Sequence, residues 1–174
     1  MKKITSLLFF LLFISSFAQI SNFSIDNGQI HWQKIYESKL NKTDLLHFLK
    51  SSNKFSDLSE SENSIYGITK NLKVDFKKFS NYPSIFVQHT TIISKFIIDF
   101  KENKYRVTVK DIIIHDPTNE DNRLNLRDVN LERYCLKNNN TEFNSRFIST
   151  NAKFYDVTFF NLFNFGKEKN SQDW

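Results

Sequence analysis

The sequence predicts an α+β protein in which antiparallel strand pairs are packed against helices. Three stretches support this class: an alternating apolar hairpin at 94–115, a capped apolar stripe at 41–52, and closely spaced aromatic residues at 145–165. Alternation with a period of two indicates half-buried strands, whereas apolar spacings of three and four indicate helices. We therefore expect a sheet with a short helix after its first strand and a C-terminal aromatic helix packed on one face.

The N-terminal segment has the pattern of a secretory signal peptide. Two lysines precede an unbroken apolar run at 7–14, and Ser16 and Ala18 place small residues before a cut ahead of Gln19. This order of regions is typical of export signals. The apolar run is shorter than the ~20 residues of a membrane-spanning helix. We expect removal of residues 1–18, a periplasmic or secreted location, and no stable membrane insertion afterwards.

After this cleavage the length of the chain indicates one domain, and its charge argues against nucleic-acid binding. Loss of the first 18 residues leaves 156, and because two lysines leave with them the net charge falls from +5 to +3. That length suits a single domain with a sizeable core. The charge is too small for the electrostatic footprint of a nucleic-acid-binding protein. We expect a weakly ordered lead-in at 19–29, the domain at 30–165 and a disordered tail at 166–174.

The first strand is predicted at Ile30–Tyr36, where apolar and polar side chains alternate imperfectly. A short helix follows over 41–52, because Asn41 or Thr43 can cap its open amides and Asp44 lies favourably in its first turn. One apolar stripe runs along this helix, formed by Leu45, Leu46, Phe48 and Leu49.

A polar segment and two further strand-like segments come next. Residues 51–64 are rich in Ser, Asn and Glu and are predicted to be a loop, whereas 64–76 and 83–93 are both typical of strands. Gly67 within the first of these indicates a bulge or a close approach of the backbone to another group.

The hairpin at 94–115 has a register that can be predicted. With Lys101–Lys104 as its loop, three apolar pairs share one face: Phe100–Tyr105, Ile98–Val107 and Phe96–Val109. The other face pairs Asp99 with Arg106, which is mildly stabilising. A slip of one residue would set apolar side chains beside polar ones, and each apolar side chain is worth about 1.5–3 kcal/mol when buried. The hairpin is therefore predicted to be mostly core.

This alternation breaks at Asp111, because three isoleucines follow it in succession at 112–114. Either a bulge shifts the phase of the strand or another element covers its second face. The candidate cover is an aromatic helix at about 145–165, which Gly166 would end, although its segment 157–160 also suits a strand. Its apolar positions are Phe147, Ile148, Phe154, Tyr155, Phe159, Leu162 and Phe163.

Two short segments separate the hairpin from this helix. Residues 116–130 are polar and predicted to be a loop, and residues 131–136 are predicted to form a short helical turn.

The order of these elements resembles a known family. The matching positions are Trp32–Tyr36, Ile65–Ile68, Phe96–Ile112 with its Lys-Glu-Asn-Lys-Tyr-Arg turn, and the LERY segment at 131–134. They resemble the domain of unknown function with a TATA-binding-protein-like (TBP-like) fold that occurs in exported proteins of Gram-negative bacteria. The resemblance covers roughly residues 28–136, and Asn103 stands where that family usually has glycine.

The resemblance implies a curved, mostly antiparallel sheet of about four to six strands with helices against one face. It implies no catalytic residue.

No constellation of residues predicts a catalytic, metal or cofactor site. The histidines His31, His47, His89 and His115 lack metal-ligand spacing, although His31 and His115 could meet because both lie on candidate strands. No phosphate-binding or nucleophile motif is present. Cys135, the only cysteine, is interpreted as a buried small residue. The acidic residues Glu60, Glu62, Glu120 and Asp121 are interpreted as solvated loop charges.

Two hypotheses of different kinds follow for the function. The first is an exported, non-catalytic binding or interaction module of the cell envelope, whose partner would be an envelope protein, a glycan or an apolar small molecule but not nucleic acid. Surplus apolar surface on the aromatic helix would mark its site. The alternative is a small periplasmic hydrolase-like enzyme, which requires a deep cleft with at least two convergent ionisable groups.

Overall fold

The computed structural model describes residues 22–77, 79–80, 82–83, 85–115 and 128–165. The predicted signal peptide, positions 19–21, most of the predicted loop at 116–130 and the predicted tail at 166–174 lie outside these residues. Among the helices that are described, none combines the length and the apolar character needed to cross a membrane.

The described residues form nine strands and four α-helices. The strands are β1 (Phe23–Asp26), β2 (Gln29–Glu37), β3 (Phe55–Glu60), β4 (Ser64–Lys73), β5 (Thr91–Lys101), β6 (Lys104–His115), β7 (Val129–Asn130), β8 (Leu136–Lys137) and β9 (Glu142–Phe143). The helices are α1 (Lys42–Ser51), α2 (Ile85–His89), α3 (Glu132–Cys135) and α4 (Ala152–Phe163), and a π-helical turn (Phe147–Asn151) leads into α4.

Seven of these strands form one antiparallel sheet. Six follow the order β1–β2–β6–β5–β4–β3, and β7 pairs with β6 beyond the end of β2. Strands β8 and β9 form a separate small hairpin. The predicted α+β class is confirmed. The sheet exceeds the expected four to six strands because β1 and β3 arise from segments that were not predicted to be strands.

The register predicted for the central hairpin is confirmed. Phe100 lies opposite Tyr105, and the two remaining apolar pairs also hold. On the other face the Asp99 carboxylate accepts a hydrogen bond from Arg106 Nη2 at 2.8 Å. The predicted helix is confirmed as α1, where the Asn41 side chain caps the backbone amide of Asp44 at 2.9 Å.

Gly67 confirms the predicted close approach. A Cβ atom at this position would lie 2.6 Å from Phe96 Cζ and 2.7 Å from Leu58 Cδ2. Only glycine therefore allows the β4 backbone to pack against the Phe96 ring.

The prediction of a weakly ordered lead-in at 19–29 is wrong for its described part. Phe23–Asp26 forms β1, and Asp26 pairs with Gln29 across a two-residue turn. The turn residues Asn27 and Gly28 both have positive φ values, 49° and 77°. Asn-Gly is the preferred sequence for such a hairpin turn. The segment DNGQ therefore indicates a strand on each side of the turn, which the prediction of a lead-in did not take into account.

Two other segments differ from their predictions. Within the predicted loop at 51–64, strand β3 pairs with β4 at the edge of the sheet. Its outward side chains are polar because they face water, and only Phe55 and Leu58 join the core. Within the predicted strand at 83–93, Ile85–His89 is instead the short helix α2, and β5 begins at Thr91.

The predicted aromatic helix is confirmed and lies across one face of the sheet. The Phe163 ring centroid lies 5.2 Å from that of Phe96 on β5 and 5.9 Å from that of Phe55 on β3. Phe159 lies 5.5 Å from Trp32 on β2. All of these rings are buried. The helix and the sheet therefore form one aromatic core, and we call this side of the sheet the covered face.

Hydrogen bonds hold the helix on the covered face at fixed points. Trp32 Nε1 donates to Asp156 Oδ1 at 2.7 Å. The Tyr105 hydroxyl donates to the carbonyl of Phe163 at 2.7 Å and accepts from the amide of Phe165 at 3.1 Å. Burial raises the pKa of Tyr105 to about 12, despite the lowering effect of that amide.

The isoleucine triplet is explained by a bulge, the first of the two predicted alternatives. Lys110 pairs with Lys95 and Ile113 pairs with Ile93, so two residues of β6 lie opposite Ser94. The extra residue is Asp111, whose φ is 49°. After it, Ile112 and Ile114 point into the core, whereas the neighbouring Ile113 is only half-buried on the other face.

Candidate functional site

The face of the sheet opposite α4, here called the open face, carries a mixture of polar and apolar side chains. Directly paired residues of antiparallel strands point to the same side, so Tyr66, Ile97, Thr108 and Gln33 form one row across it. Tyr66 is 39% exposed.

A cavity of about 440 Å³ lies on this face, beside the bulge in β6. We call it the bulge groove. Its floor is apolar and consists of Ile68, Ile93 and Ile113, which are all half-buried. Its polar rim is formed by Gln29, Lys95, Asp111, Asn130, Glu132 and Asn140. A mainly preformed cavity with an apolar floor and a few placed polar groups is the usual architecture of a small-ligand site.

Three residues that line the bulge groove have left-handed backbone conformations. Asp111 on its rim has φ 49°, and Asn140 has φ 65° at the end of a run of three left-handed asparagines that starts at Asn138. Gly28, which also lines the groove, has φ 77°. Non-glycine residues in this conformation cost energy and gather at functional sites. Asp57, Asn71 and Asn103 adopt the same conformation away from the groove, so it is not confined to this site.

The charged groups of the rim already have partners. Lys95 Nζ lies 2.9 Å from Asp111 Oδ2. Glu132 Oε1 accepts a hydrogen bond from the backbone amide of Ile30 at 2.8 Å. By contrast, the side-chain amides of Gln29, Asn130 and Asn140 are exposed and make no hydrogen bond to another described residue. Within the described residues the rim thus offers unpaired amide groups to a ligand, whereas its charged groups already have partners.

A second ion pair lies further along the open face. Asp99 accepts hydrogen bonds from Arg106 and, at 2.7 Å, from the Ser64 hydroxyl. Burial acts to raise the pKa of Asp99, but these two hydrogen bonds and the charge of Arg106 outweigh it and leave that pKa below its ordinary value. The pair is ionised at neutral pH and ties β4, β5 and β6 together.

A larger cavity of about 530 Å³ lies between α1 and the end of α4, and we call it the helix groove. Its lining includes Leu40 and Phe48, which are 38% and 55% exposed, together with Phe165. The Phe48 and Phe165 rings meet edge to face at 5.3 Å. Some apolar surface beside the aromatic helix therefore stays uncovered by the described residues.

The four histidines are not brought together. His47 and His89 are exposed on α1 and α2, and no hydrogen bond joins His31 to His115. His115 Nδ1 instead lies 2.6 Å from Asp128 Oδ1. None of the four lines the bulge groove. Across the described part of the chain, no three histidine, cysteine or acidic side chains cluster as a metal site would require.

Two other predictions about chemistry can be compared with the structure. Cys135 is buried as expected, and burial, reinforced by the charge of Glu132, raises the pKa of its thiol far above the ordinary value. A thiol is a poor nucleophile until it ionises. Among the predicted loop acids, Glu60 lies in β3 and pairs with Lys42 at 2.9 Å, and Glu62 is exposed. Glu120 and Asp121 lie outside the described residues.

Sequence reasoning did not predict the bulge groove. Its lining comes from six separate stretches between residues 28 and 140, and no motif connects them. One signal was available, because the phase break at Asp111 located the bulge beside which the groove forms.

Comparison with known proteins gives two similar solved structures. One is a TBP-like protein from Parabacteroides distasonis ATCC 8503, with a TM-score of 0.48 and 16% sequence identity over 83% of this chain and 96% of that chain. The other is a DUF4468 family protein from Bacteroides ovatus ATCC 8483, with a TM-score of 0.47 and 12% identity over 81% of this chain and 88% of that chain.

The first description carries the same fold name, TBP-like, as the resemblance in the sequence. At this identity both similarities concern the fold alone. No protein-family profile matches the sequence, and no curated protein matches it.

Proposed function

We propose that this chain is an exported, non-catalytic binding module of the cell envelope and that its ligand occupies the bulge groove. The observation that carries the proposal is a cavity of about 440 Å³ whose rim carries three exposed amide side chains that make no hydrogen bond to another described residue. That volume falls within the roughly 300–1,000 Å³ of known ligand pockets.

The strained backbone supports the same conclusion. Asp111 and Asn140 hold left-handed conformations where glycine would fit at lower cost. Both side chains line the groove. For Asn140 such a side chain is explained if its amide contacts a ligand, whereas the Asp111 carboxylate already pairs with Lys95.

Export is the part of the proposal that rests on the residues before Gln19. Their charged, apolar and small-residue regions support cleavage after Ala18. Mass spectrometry of the periplasmic protein, after expression of the full chain in a Gram-negative host, should give an N-terminus at Gln19. An uncleaved chain retained in the cytoplasm would contradict this part.

The hydrolase alternative has one supporting observation. His115 is held by Asp128 and lies directly opposite Thr91 on β5, whose hydroxyl is buried without a hydrogen-bond partner among the described residues. This resembles the nucleophile–base–acid order of covalent catalysis. However, no hydrogen bond joins Thr91 to His115, and neither residue lines the bulge groove. Binding is therefore the better supported function.

A pair of matched tryptophan variants tests the binding site. Gln29→Trp fills the groove, whereas Gln33→Trp changes the same residue type on the same face of β2 outside the groove. Tryptophan is well tolerated in strands. Wild type and both variants are immobilised and exposed to the protein, lipid and carbohydrate fractions of an envelope extract.

We expect one fraction to bind wild type and Gln33→Trp with similar affinity. Its affinity for Gln29→Trp should be lower by about tenfold or more. Equal binding to all three proteins, or no binding to wild type, would overturn the proposal.

A further inference from the structure

We propose that the ligand of the bulge groove is a neutral, hydroxyl-rich compound, namely a sugar or short oligosaccharide. This inference rests on the proposed function and specifies the chemistry of the same site. It is argued from the hydrogen-bonding groups of the rim, the charge of the groove and the shape of its floor.

Half of the rim side chains both donate and accept hydrogen bonds. Gln29, Asn130 and Asn140 each present an amide with two N–H donors and one carbonyl acceptor. All three are exposed and unpaired among the described residues. A sugar hydroxyl also donates and accepts, so neighbouring hydroxyls on one ring can satisfy both ends of an amide. A ligand with only acceptors or only donors would leave half of each amide unused.

The charge of the groove disfavours anionic ligands. Lys95, Asp111 and Glu132 give the rim a formal charge of −1, which repels phosphates and carboxylates. The one cation is already neutralised by Asp111 at 2.9 Å. A cationic ligand would compete with Lys95 for Asp111, and Glu132 is engaged by the amide of Ile30. A neutral ligand disturbs neither contact, and carboxylate lone pairs left over can accept from hydroxyls.

The floor suits the apolar face of a sugar ring. Ile68, Ile93 and Ile113 form a half-buried apolar surface on which C–H groups can pack. Tyr66 lies two residues before Ile68 on the same strand and the same face, and its ring is 39% exposed. Tyr66 does not line the groove, but an exposed aromatic ring on the same face offers contact area beyond one sugar ring, which favours a short oligosaccharide over a monosaccharide.

A peptide fits this site less well. Extended peptides are generally recognised through main-chain hydrogen bonds to a free strand edge. The groove lies on the face of the sheet at β4, β5 and β6, whose edges are already paired. An apolar ligand would leave the three rim amides desolvated without partners, which costs free energy. The helix groove would suit an apolar ligand better.

Calorimetric titration with defined probes tests the inference. The probes are neutral oligosaccharides of glucose, mannose, galactose and N-acetylglucosamine, an oligogalacturonate as the anionic counterpart, an uncharged tetrapeptide and a single-chain detergent. Asn130→Ala removes one rim amide, and Asn53→Ala is the matched control because Asn53 is exposed in a turn outside the groove.

We expect at least one neutral oligosaccharide to bind, with affinity about tenfold lower in Asn130→Ala and unchanged in Asn53→Ala. An envelope polysaccharide fraction serves as a parallel probe. If it binds more tightly than the defined oligosaccharides, the source of the sugar is a cell-surface chain. If it binds more weakly, the source is free oligosaccharide. Either outcome supports the inference.

Three results would overturn it, and they separate it from the proposed function. Failure of every neutral sugar to bind overturns the sugar class. If another probe or fraction then binds and Gln29→Trp abolishes that binding, the groove remains the site. Tighter binding of the oligogalacturonate than of any neutral sugar also overturns the sugar class. Sugar binding that Gln29→Trp leaves unchanged overturns both the inference and the proposed site.

Discussion

Asp111 shows how one residue sets both the strand phase and the rim of the groove. Its φ of 49° lies in the left-handed region, and its carboxylate pairs with Lys95. This conformation costs most residues about 1–2 kcal/mol, whereas glycine adopts it without a steric cost. The Lys95 and Asp111 side chains are 60% and 33% exposed, so their ion pair is a surface pair worth about 0–1 kcal/mol.

These magnitudes give a prediction for two substitutions at this position. Asp111→Gly should be more stable than Asp111→Ala by about 1 kcal/mol, because only alanine keeps the steric cost of the left-handed backbone. Urea unfolding of both variants measures the difference, with Lys95→Ala as the control for loss of the ion pair. If Asp111→Ala equals or exceeds Asp111→Gly in stability, Asp111 is not the left-handed residue of the bulge.

Tyr105 gives a prediction for alkaline pH. Its pKa rises from 10.0 to about 12 in the folded protein, so the folded state keeps the proton that the unfolded state loses. The resulting stability is fully present below pH 10 and is lost as the pH rises towards 12. Tyr36 and Tyr155 are also buried and their pKa values are raised further, which adds to the same trend.

Tyr105→Phe should therefore lose about 1 kcal/mol at neutral pH, because its hydrogen bonds to the α4 end disappear. Between pH 10 and 12 its stability should fall less steeply than that of the wild type. Urea midpoints across this range measure both effects. Tyr82→Phe is the control, because that ring is 75% exposed, and its profile should follow the wild type. Parallel profiles for Tyr105→Phe and wild type would contradict the account.

Helix α4 holds the covered face together, and Phe163 is its most connected ring. This side chain is fully buried against Trp32, Phe55 and Phe96. Phe163→Ala should cost about 3–5 kcal/mol, as for other large side chains removed from a core. Phe160→Ala, on the same helix but only half-buried, should cost less than half as much. Similar losses for the two variants, measured by urea unfolding, would show that α4 does not pack as described.

The elements differ in how far the sequence predicts them. The central hairpin, α1 and the aromatic helix follow from strong periodicity and a capping residue, and all three are confirmed. Strand β1 was missed because the Asn27–Gly28 turn signal was overlooked. Strand β3 was missed because an edge strand needs few apolar side chains, and only Phe55 and Leu58 face the core. Local pattern is weak wherever a strand faces mostly water.

The candidate site lies beyond sequence reasoning for a different physical reason. The floor residues Ile68, Ile93 and Ile113 look like ordinary strand positions, and only the sheet order β6–β5–β4 places them side by side. The rim adds Gly28 from the first turn and Asn140 from a distant hairpin. A surface assembled from long-range pairing has no local signature, so only the phase break at Asp111 marked its position.

The measurement that tests the account most directly is backbone-amide chemical-shift mapping of the ¹⁵N-labelled protein during titration with the envelope fraction that binds it. Binding in the bulge groove predicts the largest shifts at Gly28, Ile93, Asp111 and Asn130, with little change around Phe48 and Phe165 in the helix groove. Shifts centred on the helix groove, or none near Asp111, would contradict the claim that this protein binds its ligand on the open face of its sheet.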